Sequence, residues 1–143
     1  MATNTNLQSL NAGDSFPSNR RQYETFLAGE AIAIGDAVAL DFAQASDADK
    51  ALYVKKAGTA AKIRHFVGVA VEAAASGDKV RCVISGIVSC KVAAGSAADT
   101  SLEISGTGGE LVTYANTSVN PIAVRTISAE AAGSALVVVL KQF

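Results

Sequence analysis

The 143 residues of this chain suit one domain with a hydrophobic core and leave little room for a second domain. Half of the residues are hydrophobic, but with five Phe, three Tyr and no Trp the large ones are scarce, a composition typical of short strands and turns. The formal net charge is -1 and only 17% of the residues are charged, so we expect neither nucleic acid nor an anionic membrane as a partner.

The N-terminal segment, residues 1–26, is rich in Asn, Ser, Thr and Gln without periodicity, and we interpret it as a flexible arm. It lacks the basic and then apolar order of a secretory signal, which predicts synthesis in the cytosol. Its second half mixes aromatic and basic side chains, a pattern typical of segments that become ordered on a partner. The candidate interface residues are Phe16, Arg20, Arg21, Tyr23 and Phe26. The alternative is a terminus that packs on its own domain.

Residues 27–143 are predicted to form one β-rich domain, because short apolar runs alternate with Gly, Ser, Asp and Asn. A spacing of about 8–12 residues between such turns is typical of an all-β sandwich or barrel. The predicted strands are 36–42, 51–55, 63–71, 79–85, 87–93, 100–104, 110–115, 122–127 and 135–142. Residues 47–57 could instead begin a helix of about three turns that is capped by Asp47.

A hairpin centred on Gly86 is the best defined pairing in the sequence, because apolar residues alternate symmetrically on both sides of this glycine. The predicted cross-strand pairs are Ile84 with Val88, Cys82 with Cys90 and Val80 with Val92. The two cysteines would then face the core as reduced structural thiols. Neither a Cys-x-x-Cys spacing nor further ligands accompany them, so we expect no metal or redox centre.

Residues that could carry catalysis are few and isolated. His65 is the only histidine and falls in a predicted strand, where we expect a structural role. Residues Ser76–Lys79 match the Ser-x-x-Lys motif of acyl enzymes, but the Gly-Asp pair within them predicts a turn and not the helix start that this motif needs. Residues 105–110 are rich in glycine, but they lack the lysine of a phosphate-binding loop and therefore predict a hairpin loop. Asp41, Asp47 and Asp49 lack the glycine and closing glutamate of a calcium loop. We therefore expect no enzyme activity and no cofactor.

A Gly-Asp pair occurs twice, at Gly35-Asp36 and at Gly77-Asp78, each time ahead of a predicted strand. Glycine supplies the positive φ of a tight turn, and aspartate can hydrogen-bond its own backbone. The repetition suggests two similar β-units packed together.

The order of short motifs from residue 29 to the end resembles the small capsid decoration, or cement, proteins of tailed bacteriophages. In that family a Gly-Asp turn, a hydrophobic-Gly-hydrophobic-Ala strand, a second acidic turn and a Val-rich last strand follow one another. The matching residues are Gly35 and Asp36, Val67–Ala70, Gly77–Val80, Gly86–Val88 and Ala123–Leu140. This chain departs from the pattern at Ser76, and at Val124 and Arg125, where the family tends to have a glycine.

The resemblance implies a compact small β-barrel or β-tulip-like domain of short antiparallel strands with an extended N-terminal arm. It implies a homotrimer, made in the bacterial cytoplasm, that binds the major capsid protein on the outer surface of the virion. There it would cement neighbouring subunits of the expanded, DNA-filled head, with the arm residues contacting the shell.

Two other functions remain open from the residues alone. One is a ligand- or glycan-binding adhesion module of a virion or tail, which would use exposed aromatic residues such as Tyr23, Tyr53 and Tyr114. The other is a small β-barrel enzyme, for which the acid-base residues are missing from the sequence.

Overall fold

The computed structural model describes residues 21–60, 65–115 and 121–140. The strands are β1 (Gln22–Ala28), β2 (Ala37–Leu40), β3 (Tyr53–Lys56), β4 (Phe66–Ala70), β5 (Lys79–Lys91), β6 (Ser101–Ile104), β7 (Leu111–Thr113), β8 (Pro121–Thr126) and β9 (Ser134–Val139). A short helix, α1 (Asp47–Leu52), precedes β3. Among these residues, no helix has the length and apolar character that crossing a bilayer requires. The predicted all-β class is confirmed.

The first half of the domain is a closed five-stranded barrel. Its strand order is β1-β3-β2-β4-β5, and β5 pairs with β1 to close the ring. Four of the five pairings are antiparallel, as predicted, whereas β1 and β3 run parallel with Leu27 opposite Tyr53. Closure leaves the barrel without an unpaired edge, so the remaining strands must attach through the part of β5 that extends beyond it.

The second half of the domain is a sheet that begins on that extension. The C-terminal part of β5 pairs with β9, and β8, β6 and β7 follow in that order. Leu111 at the start of β7 forms a parallel bridge with Val92, the residue after β5. The sheet therefore curves back to the strand on which it started, and β5 is shared by both halves of the domain.

The predicted hairpin at Gly86 is wrong, because residues 79–91 form one continuous strand of 13 residues. Gly86 has a φ of +114°, as a turn glycine would, but here it marks the point where β5 changes partners. Ser85 is opposite Gln22 of β1, and Gly86 is opposite Val139 of β9. The glycine lets the strand bend from the barrel into the second sheet.

The core consists of two clusters separated by the wall of the barrel. The first fills the barrel and contains Phe26, Ala28, Ile32, Val38, Val54, Val67, Ala70, Val80, Cys82 and Ile84. The second lies between the barrel and the second sheet and includes Ala37, Ala39, Phe66, Val69, Val83, Val88, Cys90, Leu102, Leu111 and Val137. All five residues of β4 are buried, since its two faces contact different clusters.

Two further boundaries differ from the predictions. Strand β1 crosses the predicted boundary between residues 26 and 27, so residues 22–26 are paired in the barrel. Helix α1 has six residues and is capped by Ser46, whose Oγ accepts a hydrogen bond from the Asp49 backbone N–H at 3.1 Å. The predicted residues 63–64 and 141–142 lie outside the described ranges.

The carboxylate of Asp41, directly after β2, is fully buried. It accepts hydrogen bonds from the Ala43 backbone N–H at 3.0 Å and from Gln44 Nε2 at 2.7 Å. Lys55 Nζ lies 3.2 Å from its Oδ2. Burial alone would raise the pKa of Asp41, but these hydrogen bonds and the Lys55 charge together lower it below its ordinary value.

This carboxylate makes a testable contribution to acid stability. Because the folded pKa of Asp41 lies below the unfolded value, its contribution is complete above about pH 4 and is lost as the pH falls through the folded pKa. We expect Asp41→Asn to reduce stability at pH 7 and to lose less stability than the wild type between pH 5 and pH 2. Urea midpoints measured across this range test it, and parallel pH profiles for the two proteins would contradict it.

Candidate docking surface

The two Gly-Asp turns have the backbone predicted for them but a different role. Gly35 and Gly77 have φ values of +84° and +91°, the left-handed region that glycine tolerates. The residues ahead of the turns, Ile32 and Ala74, pair with each other as an antiparallel bridge. Since the turns start β2 and β5 of the same barrel, the interpretation that the repeat marks two packed β-units is wrong.

The aspartates of the two turns lie in opposite environments. Asp36 is 1% exposed, whereas Asp78 lies at the surface. The Ala33 backbone N–H donates to Asp36 Oδ2 at 2.8 Å, and Lys91 Nζ at the end of β5 donates to Oδ1 at 2.5 Å. Gly109, in the loop between β6 and β7, packs directly on this carboxylate. Asp36 therefore ties the first turn to the second sheet.

The first turn presents an apolar side chain to solvent. Ile34 is 65% exposed, although its neighbour Gly35 is held by backbone hydrogen bonds of 2.9 Å to Ala70 and Lys91. Beside it lies an open groove of about 280 Å³, where the barrel meets the second sheet. We name it the Ile34 groove, and its walls are Arg21, Ile34, Ala70, Val71, Val88 and Ser89. Sequence reasoning missed this groove; its one local signal is an isoleucine directly before a Gly-Asp turn.

The outer surface of the second sheet is also apolar. In β9 the odd-numbered residues are buried and the even-numbered ones point away from the core. The outward positions form what we call the β9 face, composed of Ile87, Ile127, Leu136, Val138 and Leu140. Leu140 is 58% exposed and Ile127 43% exposed. A solvated sheet face is ordinarily polar, so this row of partly exposed apolar side chains is a candidate docking surface.

The Ile34 groove and the β9 face are neighbours. Ser89 lines the groove and is opposite Leu136 in the β5–β9 register. Val138 is opposite Ile87 on one side and Arg125 on the other. At the border of the β9 face, Arg125 is paired with Asp99 at 2.7 Å. The surface is thus an apolar area with a polar border, as protein interfaces are.

The five interface residues predicted from the sequence have different positions. Phe16 and Arg20 lie outside the described residues. Arg21 lines the Ile34 groove. Tyr23 is 40% exposed on β1, with the Arg81 guanidinium carbon 5.2 Å from its ring centre. Phe26 is 5% exposed inside the barrel, where its side chain contributes to the core.

The residues considered for other functions do not converge. Tyr23 lies on β1, Tyr53 on β3, and Tyr114 follows β7 in the second sheet. His65 is exposed and contacts the Phe42 ring edge-on, with ring centres 4.5 Å apart. In the described ranges no group of three potential metal ligands occurs. Residues 105–110 connect β6 to β7, which confirms the predicted hairpin loop.

The two cysteines are buried in different clusters, Cys82 inside the barrel and Cys90 between barrel and sheet. They lie eight positions apart on the same strand, so the predicted cross-strand pair is wrong. Burial raises the pKa of both thiols to about 12, with smaller effects from the charges of Glu72 on Cys82 and Asp36 on Cys90.

Buried thiols with so high a pKa are expected to be inert in the folded protein. We predict that a thiol reagent such as 5,5′-dithiobis(2-nitrobenzoic acid) at pH 8 modifies neither cysteine within an hour, and that both react at once in 8 M urea. Absorbance at 412 nm measures the reaction. Rapid modification of one thiol in the native protein would contradict the burial.

Comparison with known proteins finds a similar fold in a phage protein. The sequence matches no protein-family model and no curated protein. The structure is similar to the N-terminal base of the head fibre protein gp8.5 of bacteriophage phi29, with a TM-score of 0.51 and 16% sequence identity. The match covers 83% of this chain and 93% of the phage chain. The chain therefore shares its fold, across most of both molecules, with a base domain from a phage head fibre.

Proposed function

We propose that this protein is a structural component of a bacteriophage virion, which binds the outer surface of the head and cements neighbouring capsid subunits. The observation that carries the proposal is the fold shared with the phi29 head fibre base over 83% of the chain. The order of the Gly-Asp, Val-Gly-Val-Ala and Val-rich motifs, which resembles that of capsid decoration proteins, supports the same conclusion independently.

The β9 face is the surface we assign to the capsid contact. Its side chains are aliphatic, and Arg125, which is opposite Val138 at its border, is already paired with Asp99. Docking an apolar protein surface there removes hydrocarbon from water at about 25 cal/mol per Å² without requiring desolvation of an unpaired charge. The major capsid protein is the proposed partner.

Neighbouring capsid subunits would be cemented because the same contact is repeated on each of them, and no chemical step is needed. A homotrimer, the assembly we propose, presents three copies of the β9 face, so a contact of modest affinity becomes effectively intramolecular once the first has formed. A ligand that binds only the intact shell stabilises it by mass action. The N-terminal arm, with Phe16 and Arg20, would add contacts on the shell.

Binding to purified heads tests the proposal. Heads that lack this protein are mixed with it and sedimented, and the bound fraction is measured against concentration. We expect saturable binding, at least tenfold weaker for Val138→Asp in the β9 face and unchanged for Ala51→Asp, an exposed residue on α1. Urea midpoints of both variants confirm that they fold.

Two results would contradict the proposal. Absence of wild-type binding at micromolar concentrations rules out a capsid component. Binding that is equally strong for Val138→Asp and for the wild type rules out the β9 face as the contact. Deletion of residues 1–20, which leaves β1 intact, measures what the arm adds.

A further inference from the structure

We propose that in the free protein the Ile34 groove binds the side chain of Phe16 from the same chain. This inference concerns the protein before it meets any partner, and it holds whether or not the chain binds a phage head. It assigns a specific occupant to an apolar groove that the described residues leave open.

The N-terminal segment is joined directly to the groove. Arg21, the first described residue, is part of the groove wall. The next residue, Gln22, is opposite Ser85, just before the bend at Gly86. Val88 and Ser89 of the groove lie immediately beyond that bend. The segment that precedes Arg21 is therefore covalently joined to a wall of the groove.

The sequence of that segment contains one candidate occupant. Between Leu10 and Arg21, Phe16 is the only large apolar residue. Five residues span at most about 17 Å, so the Cα atom of Phe16 can be no farther than that from the Cα atom of Arg21 in the groove wall. Pro17 and Asn19 lie between them, and both residue types favour turns that would bring the ring back.

The groove and a phenyl ring match in size and polarity. Ile34, Ala70, Val71 and Val88 give the groove aliphatic walls, and Ile34 is 65% exposed. A volume of about 280 Å³ is below the roughly 300–1,000 Å³ of small-molecule pockets. It suits a single aromatic side chain, whose burial would also cover Ile34.

Disulfide trapping tests the contact in the full-length protein. We introduce Ser15→Cys together with Ser89→Cys, which keeps both the Phe16 ring and Ile34, and expose the protein to a mild oxidant. The native Cys82 and Cys90 are buried, with pKa values of about 12, so they should not compete. We expect a cross-link within one chain, seen as a compact band of monomeric mass on a non-reducing gel.

Two matched pairs serve as controls. Asn4→Cys with Ser89→Cys keeps the groove cysteine, and Ser15→Cys with Ala51→Cys keeps the arm cysteine but moves its partner to α1. Both should cross-link at least tenfold more slowly. Equal rates for the three pairs would overturn the inference. Disulfide-linked dimers in place of the compact monomer would also overturn it, because the occupant would then be a second copy.

A stability measurement checks the same contact without cysteines. Phe16→Ala and Ile34→Ser should each lower the urea midpoint by about 0.5 M, and the double variant should lower it no further. Leu10→Ala is the control and should leave the midpoint unchanged. If Ile34→Ser has no effect, or if the two changes add fully, the groove does not hold Phe16.

Discussion

Replacing Gly68 with alanine is expected to cost about 3 kcal/mol of folding stability, or to prevent folding altogether. Gly68 lies in the middle of β4, where all five residues are buried. A Cβ at this position would overlap the carbonyl oxygen of Val83 and lie 2.9 Å from its carbonyl carbon. Both atoms belong to the backbone of β5, which is paired on both edges and cannot move aside.

The control for this substitution is Gly106→Ala in the loop between β6 and β7. A Cβ at Gly106 would have no atom of the described residues within 4 Å, and the φ of this glycine is outside the left-handed region. Urea unfolding of the two variants makes the comparison. A Gly68→Ala protein as stable as Gly106→Ala would mean that β4 and β5 are farther apart than the structure places them.

The second large effect is expected at Asp36. Asp36→Ala removes the acceptor of two hydrogen bonds and the partner of Lys91, and should cost about 3 kcal/mol. Asp78→Ala, at the matching position of the other Gly-Asp turn, should change stability by less than about 0.5 kcal/mol because Asp78 is exposed. Thermal and urea unfolding of the two variants measure the difference.

A double-mutant cycle with Lys91→Met separates the ion pair from the turn. If the Asp36–Lys91 pair joins the barrel to the second sheet, the two changes should be non-additive by about 1 kcal/mol or more. Equal losses for Asp36→Ala and Asp78→Ala would show that the aspartates act only within their own turns.

The contrast between Asp36 and Asp78 shows what local sequence can and cannot predict. Both follow a glycine with positive φ, and the turn was predictable at both sites because only that glycine and the next residue determine it. Burial of Asp36 depends on Lys91 and Gly109, which are more than fifty residues away in sequence. No local pattern contains that information.

The course of β5 was mispredicted for a related reason. An apolar alternation that is symmetrical about a glycine fits a hairpin and fits one bent strand equally well. The choice depends on the partners, and β5 finds β1 on one side of Gly86 and β9 on the other. The other predicted strand regions were located within a few residues, since alternation and turns determined them locally.

The docking surface was harder to predict than the fold. Strand β1 was missed because Gln22 and Glu24 give it the polar composition of an arm, and pairing with β5 overrides that preference. The Val-rich last strand was recognised, but its sequence does not say which of its two faces stays uncovered. That depends on the second sheet, whose inner side packs on the barrel.

The most direct test of a structural role is the content of the virus particle. Virus particles from the source of this chain are purified on a density gradient, and the 14.5 kDa protein is quantified against the major capsid protein. We predict a copy number comparable to that of the capsid protein, which survives gentle washing. Absence of the chain from purified particles would contradict a role in the virion, and a trace amount would contradict cementing of the shell.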